Sequence, residues 1–103
     1  MNRSALPTLL LICACTAASA QDLRQLTAAA LAATCAACHG TNGRALDGAV
    51  LPGLAGIPAA TLAEQMRAFK SGARAGTLMP QLARGYSEAQ IDQLAAYFAA
   101  LPQ

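Results

Sequence analysis

The 103-residue chain has few aromatic, charged and β-branched residues, and each shortage excludes a class of protein. Aromatic residues make up 4% of the sequence and charged residues 12%, whereas alanine is abundant. Because strands need β-branched and aromatic side chains while alanine favours helices, the composition predicts an all-α fold. Beyond residue 20 the six basic and five acidic residues nearly cancel, which does not indicate binding to nucleic acid or to an anionic membrane.

Histidine and cysteine are scarce as well. His39 is the single histidine, and Cys35 and Cys38 are the only cysteines beyond residue 20. A zinc site built on these cysteines would need further Cys or His ligands, which this part of the sequence does not offer. With no third cysteine there, nothing can form a competing disulfide in an oxidising compartment.

The segment Cys35-Ala36-Ala37-Cys38-His39 has the spacing by which a c-type haem is attached covalently. Residues three apart on a helix share one face, so both thiols can reach the two vinyl groups of one porphyrin edge. His39 is then placed to put an imidazole nitrogen on the iron. A Cys-x-x-Cys pair also occurs in thioredoxin-like proteins, but that alternative needs a βαβ context, and no strand pattern lies nearby. The segment therefore predicts one covalent haem c.

Residues 1–20 have the pattern of a secretory signal peptide. Arg3 supplies a positive charge, an apolar run follows over residues 5–18, and the small residues Ala18-Ser19-Ala20 form a cleavage site. The run is too short and too rich in Ala, Thr and Cys to be a membrane span. We therefore expect residues 21–103 to form one monohaem domain in the periplasm, because thioether attachment of haem occurs outside the cytoplasm.

Lipoprotein processing at Cys15 is the alternative for this leader, because Ile12-Cys13-Ala14 precedes that cysteine. A cysteine inside the lipoprotein box is unusual, however, and the small residues at 18–20 suit ordinary cleavage. The sequence favours cleavage after residue 20, with no lipid anchor on the mature protein.

Apolar residues at helical spacing predict three main helices. The first covers residues 22–34, with the carboxylate of Asp22 in its first turn, and Gly40 ends the segment that follows it. The second covers residues 58–70, and the last begins after Ser87, which forms a capping box with Gln90. The apolar faces of these helices should supply the core: Leu23, Leu26, Ala30 and Ala33 on the first, Leu62, Met66 and Phe69 on the second, and Ile91, Leu94, Tyr97, Phe98 and Leu101 on the last.

Glycine and proline interrupt the chain over residues 41–58 and 73–85 and predict two long loops. The first loop contains five larger apolar residues, which favours a loop wrapped around an apolar group such as a porphyrin face: Leu46, Val50, Leu51, Leu54 and Ile57. Ordinary packing beneath a long loop is the alternative. The second loop carries Met79, with at most a short turn after Pro80.

Met79 is the candidate for the sixth position of an iron bound by His39. A second histidine ligand from the same chain is excluded, and Met66 belongs to a helical apolar stripe that should face the core. A loop methionine can also simply fill a gap between other side chains. Ligation by Met79 would favour ferrous iron and close the iron to substrates, which predicts an electron carrier rather than an enzyme.

These residues together resemble the class I cytochromes c. The segments that carry the resemblance are Cys-Ala-Ala-Cys-His-Gly at 35–40, Leu-Pro-Gly-Leu-Ala-Gly at 51–56, Met79, and Ala-Ala-Tyr-Phe-Ala-Ala-Leu at 95–101. The resemblance implies a small all-α fold with three main helices and long loops around one covalent haem. It also implies that the carbonyl of Pro52 accepts a hydrogen bond from His39, and that the first and last helices pack with Tyr97 or Phe98 at their contact.

A closer similarity, to the haem subunit of flavocytochrome c sulfide dehydrogenase, lies in residues 69–72, 77–79 and 83–87. It implies a periplasmic FAD-containing subunit that oxidises sulfide and passes electrons to the haem subunit, which hands them to other redox proteins. A free, diffusing cytochrome that carries electrons to an oxidase or reaction centre uses the same haem site and remains an alternative. A haem enzyme with an open iron, such as a peroxidase, is a third possibility, which the lack of a distal histidine disfavours.

Overall fold

The computed structural model describes residues 5–103, with side chains from residue 19 onward. The charge of Arg3, and the side chains of Cys13 and Cys15, lie outside this description. Within it the chain forms helices α1 (Ala5–Ala33), α2 (Ala36–His39), α3 (Ala59–Ser71), α4 (Met79–Arg84) and α5 (Glu88–Ala99), with a 3₁₀ turn at Thr41–Gly43. Residues 5–103 contain no strand, so the prediction of an all-α fold is confirmed.

Helix α1 is longer than the sequence pattern predicts, because it begins at Ala5 rather than at Asp22. Residues 18–21 are Ala-Ser-Ala-Gln and include no glycine or proline, so nothing in them stops a helix. The expectation that Asp22 lies in the first turn of a helix is therefore wrong for a chain that still carries residues 5–21. The carboxylate gains no contact with the positive end of the α1 dipole.

The apolar face expected for the first helix is also wrong. Leu23 and Leu26 are 66% and 67% exposed, and Ala32 is the residue of this helix that is buried in the core. The cause lies in the composition, since residues 28–33 are alanine at every position but Leu31. A segment that is equally apolar on every side gives no pattern by which a buried face can be recognised.

Helices α3 and α5 provide most of the core. Leu62 and Ala63 of α3 pack with residues of α5, and Met66 lies half-buried against the same cluster, as predicted. The buried residues of α5 are Ile91, Leu94, Ala95 and Phe98. The capping box is present in both directions, because Gln90 N donates to Ser87 Oγ at 3.2 Å and Ser87 N donates to Gln90 Oε1 at 2.9 Å.

The expected packing of the first helix on the last is confirmed, since α1 contacts α5. Phe98 lies in the core cluster together with Ala32. Tyr97 faces Ala29 and Ala33 across a small cavity of about 130 Å³. The Tyr97 and Phe98 rings meet edge to face, with centroids 5.3 Å apart. The end of α1, where the haem-attachment segment begins, is thereby fixed against α5.

An exposed ion network joins α3 to the start of α5. Arg67 lies 2.8 Å from Glu88 and 2.7 Å from Asp92, and Lys70 lies 3.1 Å from Glu88. The guanidinium of Arg67 and then the ammonium of Lys70 hold the pKa of Glu88 below its usual value. The small stabilisation from this carboxylate is present above its ordinary pKa and is lost as the pH falls through the lowered value.

Helix α4 is absent from the sequence prediction, which assigns residues 73–85 to a loop with at most a short turn. The helix begins at Met79, with Pro80 in its first turn, where the fixed φ of proline suits a helix. Ala83 is fully buried, and α4 packs against α3. Six residues are too few to display a helical period, so the pattern of the sequence cannot reveal this helix.

Candidate haem site

The two thiols of the attachment segment lie on one turn of backbone. Cys35 caps the N-terminus of α2, and the amides of Cys38 and His39 both donate to its carbonyl, at 3.3 and 2.9 Å. Both cysteines carry free thiols, with Cys35 half-buried and Cys38 exposed. Helical spacing brings the two sulfurs to the same side of the turn, as two thioether bonds to one porphyrin require.

Gly40 ends this turn, as predicted, and its backbone explains why glycine stands there. Its φ of 84° is a conformation that residues with a side chain rarely adopt. A Cβ at this position would lie 1.9 Å from the carbonyl oxygen of Arg44. The chain can therefore turn away from His39 at once only because residue 40 lacks a side chain.

His39 is oriented by a hydrogen bond from its ring to the first loop. Nδ1 lies 2.7 Å from the carbonyl oxygen of Pro52, so the hydrogen bond implied by the cytochrome resemblance is present. A carbonyl can only accept, which places the proton of the neutral ring on Nδ1. Nε2 is left with its lone pair, the state in which an imidazole binds a metal.

The loop that carries Pro52 is itself held by backbone hydrogen bonds. The carbonyl of Gly43 accepts from Leu54 N at 2.7 Å and from Ala55 N at 3.1 Å, and Gly56 N donates to the carbonyl of Phe98 at 2.8 Å. Gly43 has a φ of 69°, and a Cβ there would lie 2.8 Å from the Phe98 ring. The loop is thus anchored on α5, and it presents the Pro52 carbonyl to His39 at a fixed place.

The thiol of Cys35 is less acidic than an ordinary cysteine. Burial raises its pKa and is the largest effect, the hydrogen bond with the Thr34 hydroxyl lowers it by less, and the nearby Cys38 adds a still smaller rise. A raised pKa leaves less of the nucleophilic thiolate, which disfavours thiol–disulfide exchange at this cysteine.

Met79 enters from another part of the fold, as the first residue of α4. Its side chain is half-buried, and so is that of Met66 in α3. Met66 packs against the core cluster, which agrees with its predicted role. The structure therefore joins Cys35, Cys38, His39 and Pro52 in one local unit, whereas Met79, the predicted sixth ligand, lies on a separate helix.

Exposed apolar side chains occur both in the first loop, which carries Pro52, and around the start of α4, which carries Met79. Val50 is 98% and Leu46 is 82% exposed in the first loop, and Leu78 and Leu82 flank and follow Met79 at 62% and 51%. An apolar group of porphyrin size needs such side chains to cover its faces. These apolar side chains, the two free thiols and the unprotonated Nε2 of His39 form a set of residues that fits a haem c.

The alternative of a zinc site gains no ligand set from the fold. Among the residues with described side chains, no group of three or more His, Cys, Asp or Glu residues is placed to hold a metal ion.

The helices described over residues 5–103 include none with the length and apolar character of a membrane span.

One contact beside the site is not predicted from the sequence. The hydroxyl of Tyr86, which follows α4, lies 2.9 Å from Oγ1 of Thr34, the residue before Cys35. The two residues are 52 positions apart, and neither lies in a pattern that would associate them. The packing of α5 on α1, together with the short segment that leads from α4 into α5, brings them together.

The chain matches the family described as cytochrome c oxidase, cbb3-type, subunit III, over residues 19–98. Over 70 residues it is 44% identical to a thiosulfate dehydrogenase electron acceptor of Thiomonas intermedia. The matched stretch covers 68% of this chain and 32% of that protein. Over 68 residues it is 40% identical to cytochrome c-554(548) of Halomonas halodenitrificans. This match covers 63% of this chain and 81% of that protein.

A cytochrome subunit of sulfide dehydrogenase from Chlorobaculum tepidum is 35% identical over 68 residues, which cover 66% of this chain and 60% of that subunit. The chain spans about a third of the length of the thiosulfate dehydrogenase electron acceptors that it matches. These relatives confirm the predicted resemblance to cytochromes c, including the sulfide dehydrogenase subunit. Since the family match extends over most of its residues, the chain belongs to the cytochrome c family, as a domain of the cbb3-type subunit III class.

Proposed function

We propose that this protein is a periplasmic electron carrier with one covalently bound haem c. Membership of the cytochrome c family implies haem c as the cofactor. Thioether bonds from Cys35 and Cys38, with His39 and Met79 as the two axial ligands, are the site that we propose for it. The proposal includes export by a signal peptide over residues 1–20, because haem attachment takes place outside the cytoplasm.

The observation that supports this site most strongly is the 2.7 Å hydrogen bond from His39 Nδ1 to the Pro52 carbonyl. It fixes both the tautomer and the orientation of the ring, and it raises the basicity of Nε2 towards a metal. Because Nδ1 is occupied by this hydrogen bond, Nε2 is the ring nitrogen that can act as a ligand. The adjacent free thiols are then the anchors for the porphyrin edge.

A haem bound here would supply a one-electron couple between ferric and ferrous iron. The residues of the chain would keep the iron ligand in one orientation in both states, because the carbonyl of Pro52 holds the His39 ring. A thioether from Met79 would favour the ferrous state relative to a second imidazole. An iron with both axial positions taken exchanges electrons without binding a substrate.

Voltammetry of the purified holoprotein tests this carrier function. We expect one reversible one-electron wave, and we expect the ferrous protein not to bind carbon monoxide at neutral pH because both axial positions are occupied. A matched measurement on a haem protein with an open iron provides the positive control for carbon monoxide binding. Immediate binding of carbon monoxide by this protein would instead support an open-site haem enzyme.

For the redox partner we propose an FAD-containing flavoprotein that oxidises sulfide. The similarity to a sulfide dehydrogenase cytochrome subunit supports a lasting complex of this kind. The segments around the site carry few charges, whereas a carrier that meets its partners briefly needs charges to steer it.

A free-standing carrier is the second candidate. It is favoured by cytochrome c-554(548), a relative that the match covers over 81% of its length. Such a protein would pass electrons to an oxidase or reaction centre with the same haem site. Two relatives are named as electron acceptors of thiosulfate dehydrogenase, so a thiosulfate dehydrogenase is another candidate partner.

Sedimentation of native periplasmic extract separates these candidates. If the subunit proposal is correct, the haem absorbance should sediment with flavin absorbance, as a particle much heavier than residues 21–103 alone. Salt at 0.5 M is the control, because it would release a charge-steered partner and leave an apolar complex intact. Haem that runs alone at about the mass of the mature chain, in low salt as well, would support the free carrier.

A further inference from the structure

We propose that Tyr86 is a positioning residue that holds the helix bearing Met79 at a fixed place relative to the haem-attachment segment. This inference rests on the proposed function, since it assumes that Met79 and His39 are the two axial ligands. Tyr86 follows α4 by two residues, and its hydroxyl reaches the end of α1, one residue before Cys35.

The direction of the hydrogen bond follows from counting protons. Oγ1 of Thr34 lies 2.8 Å from the carbonyl of Leu31, which can only accept, so the single proton of the threonine hydroxyl goes there. The proton between Thr34 and Tyr86, at 2.9 Å, must then come from the tyrosine. Sγ of Cys35 is 4.0 Å from the same threonine oxygen, too far to compete well with the carbonyl.

The backbone of Tyr86 is fixed as well as its hydroxyl. Nζ of Lys70 in α3 donates to the Tyr86 carbonyl at 2.6 Å and to Glu88 at 3.1 Å. The ring is half-buried and packs against the core cluster. Tyr86 is therefore held at both ends, by Lys70 of α3 at its carbonyl and by Thr34, directly after α1, at its hydroxyl.

Helix α4 transmits this position to Met79. The amide of Tyr86 donates to the carbonyl of Ala83 at 3.2 Å, and Ala83 is fully buried against the neighbouring helix. Nε of Arg84 donates to the carbonyl of Pro80 at 3.1 Å, which ties the end of the helix to its start. A six-residue helix held in this way moves as one piece, so loosening Tyr86 would loosen Met79.

The consequence concerns the strength of the bond from Met79 to iron. In the ferric protein, cyanide competes with the methionine for the sixth position. Removing the Tyr86 hydroxyl costs about one neutral hydrogen bond, and we expect the apparent affinity for cyanide to rise about fivefold. Tyr86→Phe keeps the ring in place and removes only the hydroxyl. Thr34→Val removes the acceptor and should give the same change, whereas Thr34→Ser should behave as the wild type.

The test is cyanide titration of ferric holoprotein for these variants and for the double variant Tyr86→Phe, Thr34→Val. The two changes delete one hydrogen bond, so the double variant should show no larger rise in affinity than either single one. Tyr97→Phe is the matched control, because Tyr97 Oη donates to Asn42 at 3.4 Å and joins no part of α4. It should leave the cyanide affinity unchanged, even if it lowers the melting temperature.

Three results would overturn the proposal: unchanged cyanide affinity in Tyr86→Phe, an equal rise in Tyr97→Phe, or additive effects in the double variant. If Tyr86→Phe yields no holoprotein, the Thr34→Val and Thr34→Ser pair gives the same answer. A wild-type protein without a sulfur-to-iron charge-transfer band would overturn the ligation by Met79, and this inference with it. A normal wild type with unresponsive variants would overturn the inference alone.

Discussion

Replacing Met79 with alanine should open the sixth position of the iron. The ferric protein should lose its sulfur-to-iron charge-transfer band, bind cyanide readily, and shift to a lower reduction potential, because the thioether that favours ferrous iron is gone. Carbon monoxide should bind to the ferrous form as well. Optical titration and voltammetry of the purified variant measure all of these changes.

Met66→Leu is the matched control for this substitution. Met66 and Met79 are both half-buried, but Met66 packs against the core cluster formed by α3 and α5. Leucine has a similar volume, so the band, the ligand affinity and the potential should all stay close to those of the wild type. Equal effects from the two substitutions would show that Met79 is the wrong choice of ligand.

The double substitution Cys35→Ser, Cys38→Ser should leave the chain largely unfolded and without haem. The core is small, and among residues 19–103 four of the eight buried hydrophobic residues are alanine: Ala32, Ala63, Ala83 and Ala95. Ile91 is the largest side chain among those that are fully buried. A core of this size supplies little hydrophobic free energy, so a chain this short needs an additional constraint, which covalent haem would provide.

Circular dichroism and thermal melting measure this effect. The double variant should show greatly reduced helix signal and no cooperative transition, while the holoprotein melts cooperatively. Wild-type polypeptide made without haem attachment is the control, and it should behave like the double variant, because the loss comes from the missing haem and not from the serines. Native-like helix content with cooperative melting in the double variant would contradict this account.

The sequence predicts those parts of the fold where a local pattern and a strong chemical constraint coincide. The capping box of Ser87 and Gln90 appears at the start of α5, and Gly40 ends the attachment turn. The hydrogen bond from His39 to Pro52 follows from the resemblance to cytochromes c rather than from any local pattern. Its two partners are brought together by the loop that Gly56 anchors on α5 through the carbonyl of Phe98.

The errors occur where the sequence carries too little contrast. The alanine-rich end of α1 gives no periodic face, so Leu23 and Leu26 are wrongly expected in the core. The six residues of α4 are too few for a period, so Met79 is wrongly expected on a loop. The hydrogen bond between Tyr86 and Thr34 is invisible to any local pattern, because it depends on how α5 packs on α1.

The mass of the intact protein after acid–acetone treatment tests the central claim most directly. This treatment extracts haem that is held only by its axial ligands and leaves haem that is bound through thioethers. We predict a polypeptide of residues 21–103 that retains the mass of one haem and its colour. A polypeptide mass without haem, with the colour in the acetone phase or absent from the protein before treatment, would contradict covalent attachment at Cys35 and Cys38.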